Sequence, residues 1–450
     1  MGRIQKIQSL NPLMATLRIF LRLLCIGLLL NGCATYQKHD VETETVALDR
    51  AVSDLPESQL LDVRIQTFDP GELPESKEEA RGLSPNIRQA EALYIPAHLK
   101  ATLQQTGYWG AVRVVPAGTV GAEVSVTGRI VQSDGEVLEV EVDVYDATGA
   151  HWFKRSYGSM VDSALYAESA NQQREAFQNL YTRIANDCAA YRRTLTPEQI
   201  KTIRQVAELR FAAEFAPDAF NGYLQQAEQD EGNGLSRFMA ALAQTTNSSE
   251  QQKENQAPQR YSLNRLPAQD DPMLARVQRV RERDYLLVDT LDGQYERLYR
   301  DIGGVYTQWR QSRMTETDMI RKIKSEANKQ RAKAAMLVIG TIIVAAAVDN
   351  KHYTPATGVL AGGLVAVGIN EFLRAGDKEQ EAEMNKAALE ELGASFSADV
   401  EPVVVEVEGK TVELTGSADA IYQQWRGVLE RLHEKEAGQL APVQPIDDAI

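Results

Sequence analysis

Residues 123–158 read EVSVTGRIVQSDGEVLEVEVDVYDATGAHWFKRSYG, and the fold class turns on them. Val140, Val142 and Val144 alternate with Glu139, Glu141 and Asp143, so a strand over 137–145 has one apolar face and one wet face. Strands over 123–132 and 151–158 flank it. The joints SDGE (133–136) and DATG (146–149) carry the Asp and Gly that tight hairpins favour. Three antiparallel strands in succession are the expectation.

Working outward, LDVRIQTF (61–68) alternates through Val63, Ile65 and Thr67 as a strand, and 111–115 forms another. Between them a helix over 87–106 ends at Gly107, a residue suited to the left-handed cap. After the hairpins, a helix over 163–192 sets Phe177, Leu180, Tyr181, Ile184 and Cys188 at helical spacing and should cover the apolar face. The order gives an α+β layer fold, an antiparallel-rich α/β domain over 59–195. Tyr108-Trp109 and His151-Trp152-Phe153 are either a partner site or core and rim of this sheet.

The runs AEALYIPAHLKATLQQTGYWGAVRVVP (90–116), AEVSVTGRIVQSDGEVLEVEVDVYDATGAHW (122–152) and EAFQNLYTRIANDCA (175–189) resemble the periplasmic α/β module of envelope accessory lipoproteins. That group comprises the transport-auxiliary and curli-secretion (CsgG-like) lipoproteins and the amino-terminal domain of TolB. The resemblance spans residues 60–192 and rests on pattern rather than on an invariant motif. It implies a binding or assembly module and carries over no catalytic residue. The rest of the chain resembles uncharacterised bacterial lipoproteins.

The amino terminus points to the same compartment. Arg3, Lys6, Arg18 and Arg22 precede the apolar run LLCIGLLL (23–30), then Asn31, Gly32 and Cys33. This is a signal-peptide layout, and the apolar run falls short of the roughly 20 residues a spanning helix needs. The cysteine directly after Leu30-Asn31-Gly32 resembles a lipobox, which implies cleavage after Gly32 and lipidation of Cys33. The start is Met1 or Met14, with no consequence downstream. Ala34, where an Asp would signal retention, implies the outer membrane, with the protein facing the periplasm. Residues 33–58 are polar and acidic and read as a disordered or extended tether.

Loss of residues 1–32, which hold four basic side chains and no acidic one, takes the net charge from −15 to −19. So acidic a protein is poorly suited to nucleic acid, whose phosphates require lysine and arginine. Cys25 leaves with the signal and Cys33 carries lipid, so Cys188 stands alone and no internal disulfide is expected. The five histidines show no paired spacing and there is no cysteine cluster, so the zinc templates fail and no cofactor is expected.

Thr196-Pro197-Glu198 opens a helical segment, 196–243, with an N-cap, a first-turn proline and an early acid. Its helices run to about 224 and again over 235–243. Residues 244–272 then form a polar linker. A long helix follows over 273–333, with Val288, Leu291, Tyr295, Leu298, Ile302, Val305 and Trp309 in a 3,4 heptad seam. The seam packs either on another helix of the same chain or in an intermolecular coiled coil. Gly293, Gly303 and Gly304 argue against an uninterrupted rod.

AAMLVIGTIIVAAAV (334–348) and GVLAGGLVAVGINEFL (358–373) form an apolar hairpin, with a basic run before it and an acidic run after. Gly358, Gly362, Gly363 and Gly368 let helix backbones approach closely, for oligomer contact or membrane entry. Each arm is too short to cross a hydrocarbon core of roughly 30 Å. Residues 374–436 read as helix (378–396), β-hairpin (403–407 and 411–415) and helix from Ser417, with Ile421, Trp425, Val428, Leu429 and Leu432 on one face; 437–450 is a loose tail.

No G-x-S-x-G, P-loop, H-E-x-x-H or dinucleotide fingerprint occurs. The expectation is a non-enzymatic envelope lipoprotein, structural or assembly-related, working as a homo-oligomer or within an envelope complex. The alternative is an accessory lipoprotein that binds a lipid or substrate for transport or secretion. A hydrolase is third.

Overall fold

β1 (Leu61–Gln66) lies inside the sheet, because the helix that follows it, α1 (Pro85–Gln104), returns the chain to a parallel neighbour, β2 (Trp109–Val115). The computed structural model describes residues 44–75, 80, 83–162, 164–166, 174–226, 259–268, 270–347, 376–407 and 410–438; side chains are described for these except at 316–347, 376–383 and 436–438. β3 (Val124–Ser133) pairs parallel on the other side of β1, then β4 (Val137–Asp146) and β5 (His151–Met160) extend the sheet antiparallel in the order β2-β1-β3-β4-β5. The expected hairpins are present, in an α+β protein whose sheet is mixed.

The β3–β4 turn is held by Asp134, whose Oδ1 accepts from Glu136 N at 3.0 Å and Val137 N at 2.8 Å. On β4, Val140, Val142 and Val144 are buried while Glu139, Glu141 and Asp143 are half-exposed, Glu141 paired with Lys154 and Asp143 hydrogen-bonded to His151. Trp109 and Trp152 stack within the core at 6.2 Å, and Tyr108, Trp152 and Phe153 are buried beside them. Of the two readings of these aromatics, the core is the one observed.

α1 is buried on nearly all sides. Ala92, Ile95, Leu99 and Leu103 face the sheet; Leu93, Tyr94 and Ala97 face the helices beyond. Pro96 removes the amide that would have bonded Ala92 O, and Phe68 N fills that carbonyl at 3.0 Å. Thr196 and Gln199 make a capping box at the start of α3 (Pro197–Phe215).

Four expectations change, the first being that α3 ends at Phe215 and residues 224–226 are a strand where a helix to about 224 was expected. The helix over 163–192 is interrupted: residues 164–166 are helical, 174–177 are not, and α2 is Gln178–Arg192, because Glu175 and Phe177 turn inward to meet Arg310 of the long helix over Pro272–Ala347. The tether is docked from residue 44: Leu48, Ala51 and Leu55 pack on the core. The long helix, α5, runs Pro272–Ala347 without a break at Gly293, Gly303 or Gly304, and takes in residues 334–347 of the first apolar stretch. Three glycines cost about 1 kcal/mol each, whereas each buried Leu, Ile or aromatic of the seam contributes roughly 1.5–3 kcal/mol.

That seam is spent inside the chain. Val288, Leu291, Tyr295, Leu298, Ile302 and Trp309 are buried, and Val305 is partly so, against α1, β2, α3 and the elements after α5. These are α6 (Gly376–Ala398), the hairpin β8 (Val403–Val407) and β9 (Lys410–Leu414), and α7 (Ala418–Gly438). Ile421, Trp425, Val428, Leu429 and Leu432 of α7 are all buried. Between α3 and α5 the chain makes a short helix, α4 (Pro217–Phe220), and a small ribbon, β6 (Leu224–Gln226) with β7 (Tyr261–Leu263). The expected helix at 235–243 and most of the polar linker lie outside the described residues, as does the tail from 439.

Candidate functional site

Because α1 is buried all round, its polar residues must find partners between layers. Glu91, Tyr94 and His98 sit at 3,4 spacing on the face turned to α5, which answers with Tyr299, Tyr306 and Arg310. The inward loop before α2 adds Glu175 and Phe177, the first residue of α2 adds Gln178, and the end of β3 adds Ser133.

At its centre Arg310 and Glu175 form a two-pronged ion pair, Nη1 to Oε1 at 2.6 Å and Nη2 to Oε2 at 2.9 Å, with side chains 1% and 5% exposed. The guanidinium lies over the Tyr306 and Phe177 rings at 4.3 and 5.2 Å. Tyr94 donates its hydroxyl to Glu175 Oε2 at 3.1 Å. Glu91 Oε1 accepts from Tyr306 at 2.9 Å and from the Ser133 hydroxyl, while Oε2 faces Arg88 Nη1 at 3.3 Å. His98 completes the row, Nδ1 to Tyr299 Oη at 2.7 Å and Nε2 to Gln178 Oε1 at 2.8 Å. An amide oxygen can only accept, so Nε2 holds the proton and Nδ1 accepts from the phenol: the neutral ring fits both contacts.

The two carboxylates are driven apart. Burial acts to raise Glu175, but Arg310 outweighs it and holds the carboxyl at about 2. Burial raises Glu91 above its ordinary range, with Arg88, Ser133, Tyr306 and Arg310 only partly offsetting it. Burial also lowers His98 below the usual histidine range, against the pull of Glu175 and Gln178.

The same helix is tied elsewhere. Arg64 of β1 meets Asp284 at 3.4 Å, both buried; Lys100 of α1 meets Asp292 at 2.6 Å, whose other oxygen accepts from Val114 N at 2.8 Å; Arg113 of β2 lies against Asp289; Arg297 pairs with Glu401 at 2.6 Å. Charge thus fixes α5 from Asp284 to Arg310. Gly135, in the β3–β4 turn at φ +88°, lies so close to α5 that a Cβ there would stand 2.5 Å from Arg310 O.

Glu91, Glu175, His98 and Arg310 line none of three open clefts of about 850, 660 and 490 Å³. The first, between α3 and the start of α5, alternates charge: Glu123, Lys201, Arg204, Glu208, Arg281 and Glu282. Arg204 already pairs with Glu123 at 3.5 Å and Gln278 with Glu208 at 2.7 Å. The polar cluster therefore acts as a latch between α1, the 174–178 loop and α5, out of reach of these clefts.

Cys33 and Gly32, and Gly358, Gly362, Gly363 and Gly368, lie outside the described residues. The latch residues were not singled out from the sequence. Their signal was there: polar side chains at 3,4 spacing within a helix that also carries Ile95, Leu99 and Leu103, and Tyr299, Tyr306 and Arg310 each one place beyond a seam residue. Among the described residues, no cluster of three or more His, Cys, Asp and Glu side chains could hold a metal, and no helix is long and apolar enough to cross a membrane. The chain matches no protein-family model, no curated protein and no solved structure.

Proposed function

We propose that this chain is a non-catalytic cell-envelope lipoprotein, anchored through lipid on Cys33 at the periplasmic face of the outer membrane, where it acts as a structural or assembly component. The observation that carries the assembly reading is the latch. It fixes a 76-residue helix near its midpoint to the α/β body by buried charge, and the backbone of that helix continues through the apolar residues 334–347. Beyond Thr315 the helix rises about 50 Å along its own axis. Buried ion pairs are a weak source of net stability and are better suited to fixing one register, which is what a mounted arm requires. The heptad seam is consumed internally, so self-association falls to the apolar pair 334–348 and 358–373, with Gly358, Gly362, Gly363 and Gly368 as the close-approach residues.

The test has two arms, one in intact cells and one on purified protein. Palmitate should label the parent protein and not Cys33→Ser, and only the parent should fractionate with outer membranes. Light scattering on purified Cys33→Ser protein should give an oligomer, reduced to a monomer by leucine at Gly358, Gly362, Gly363 and Gly368. An unlabelled parent refutes the anchor, and a monomeric Cys33→Ser protein refutes self-assembly.

A further inference from the structure

Residues 44–49 lie extended along α2 and are held by two asparagine side chains. Asn179 Oδ1 accepts from Val46 N at 3.0 Å while its Nδ2 donates to Glu44 O at 2.8 Å. Asn186 repeats the pattern, accepting from Asp49 N at 2.8 Å and donating to Ala47 O at 2.9 Å. Each carboxamide therefore straddles one residue, Thr45 and then Leu48, and supplies the donor and acceptor a neighbouring strand would have supplied.

The spacings agree. Asn179 and Asn186 are seven residues apart on a helix, about 10 Å at 1.5 Å per residue. Thr45 and Leu48 are three apart on an extended chain, roughly 9 Å at the 3.1 Å rise of polyproline II, whose threefold turn brings the same edge back. An asparagine two helical turns on thus meets the same backbone edge.

These contacts read main chain alone. Thr45, Ala47 and Arg50 are exposed, and only Leu48, Ala51 and Leu55 make partial apolar contact. Arg174 adds a bond to Thr45 Oγ1 at 3.1 Å, Arg193 and Tyr108 engage Asp49, and Ala51 N donates to Thr106 O at 2.8 Å. The strap is held chiefly by polar groups at the rim, with Leu48, Ala51 and Leu55 as its partly buried apolar contacts to the core.

We propose that Asn179 and Asn186 form a backbone-reading strip on α2, filled by the chain's own residues 44–49, which sets how far the body stands from the membrane. The stand-off rests on the lipid at Cys33 proposed above; the strip does not. With the strap docked, the eleven steps from Cys33 to Glu44 reach at most about 40 Å; with it released as far as Ala51, which Thr106 O still holds, the eighteen steps reach at most about 65 Å.

Hydrogen exchange on full-length Cys33→Ser protein tests the strip. Val46 and Asp49 amides are expected to be protected, and Asn179→Leu/Asn186→Leu to raise their exchange at least tenfold while β3 and β4 amides stay unchanged. Asn179→Ala/Asn186→Ala should act alike, which separates loss of the carboxamides from any effect of the leucines. Unprotected Val46 and Asp49 in the parent, or protection that survives both double variants, overturns the proposal.

Stand-off is read on acylated full-length protein in phosphatidylethanolamine–phosphatidylglycerol vesicles, by energy transfer from a dye at Ala190→Cys, an exposed position of α2, to acceptor lipids. The asparagine variants should lower transfer at least twofold, and equal transfer refutes the stand-off. A parent chain that takes up no palmitate removes the lipid reading and the stand-off together, while the exchange result still decides the strip.

Discussion

Replacing Arg310 by methionine keeps the length of the side chain and removes the charge that faces Glu175, leaving a carboxylate whose side chain is 5% exposed without its main partner. Glu175 is held at about 2 against an ordinary 4.5, and at 1.36 kcal/mol per unit that depression ties about 3 kcal/mol of stability near neutral pH to the ionised state of Glu175. Breaking a buried pair from one side costs about 3–5 kcal/mol, in agreement. The sign with pH follows. A carboxyl whose folded value is depressed contributes fully above its unfolded value and loses the contribution as pH falls toward 2. The parent therefore weakens between about pH 5 and pH 2. In Arg310→Met the same carboxyl is buried and unpaired, so its folded value rises above the unfolded one and the variant regains stability as acid protonates it. Urea unfolding followed by far-ultraviolet circular dichroism at pH 7.5 and pH 5 should show the deficit of the variant shrink at the lower pH. Arg310→Met/Glu175→Gln should recover most of the loss at pH 7.5. A deficit that is equal at both pH values and unrelieved in the double variant would refute the latch as an electrostatic device.

Glu91→Gln should cost under about 1 kcal/mol at pH 7.5, well below Glu175→Gln in the same urea assay, because burial already disfavours the Glu91 charge. Leu291→Ala, in the internal seam, should lose about 2–5 kcal/mol with no change of mass in light scattering; a change of mass would return the seam to an intermolecular role. Gly135→Ala should destabilise by about 1–3 kcal/mol, since φ is +88° and a Cβ meets Arg310 O. Burial pushes the Cys188 thiol well above its ordinary range, so maleimide should modify it only when urea unfolds the chain.

The strands of residues 124–160 were legible because period-two alternation and Asp-Gly turns are local signals, and each expected strand lies within a residue or two of the observed one. The α7 face and the capping box at Thr196 were legible for the same reason. The break before α2 was not: residues 163–192 satisfy the helical period, and the partners that hold Glu175 inward, Tyr94 and Arg310, lie 81 and 135 residues away. Nor could composition show that polar residues 44–49 are docked, since their partners are two asparagines on a helix more than 130 residues later.

Alone, the sequence determined what neighbours a few residues apart can decide: where strands alternate, where helices start, and which stripe of α5 is apolar. Tertiary structure decided which surface each stripe meets. It turned the heptad seam inward onto α1, β2, α6 and α7, carried α5 unbroken through three glycines, and assembled Glu91, Glu175, His98 and Arg310 into one buried latch. The reason is that a charge enters a protein interior only where its partners are brought to meet it, and those partners come from four separate stretches of the chain.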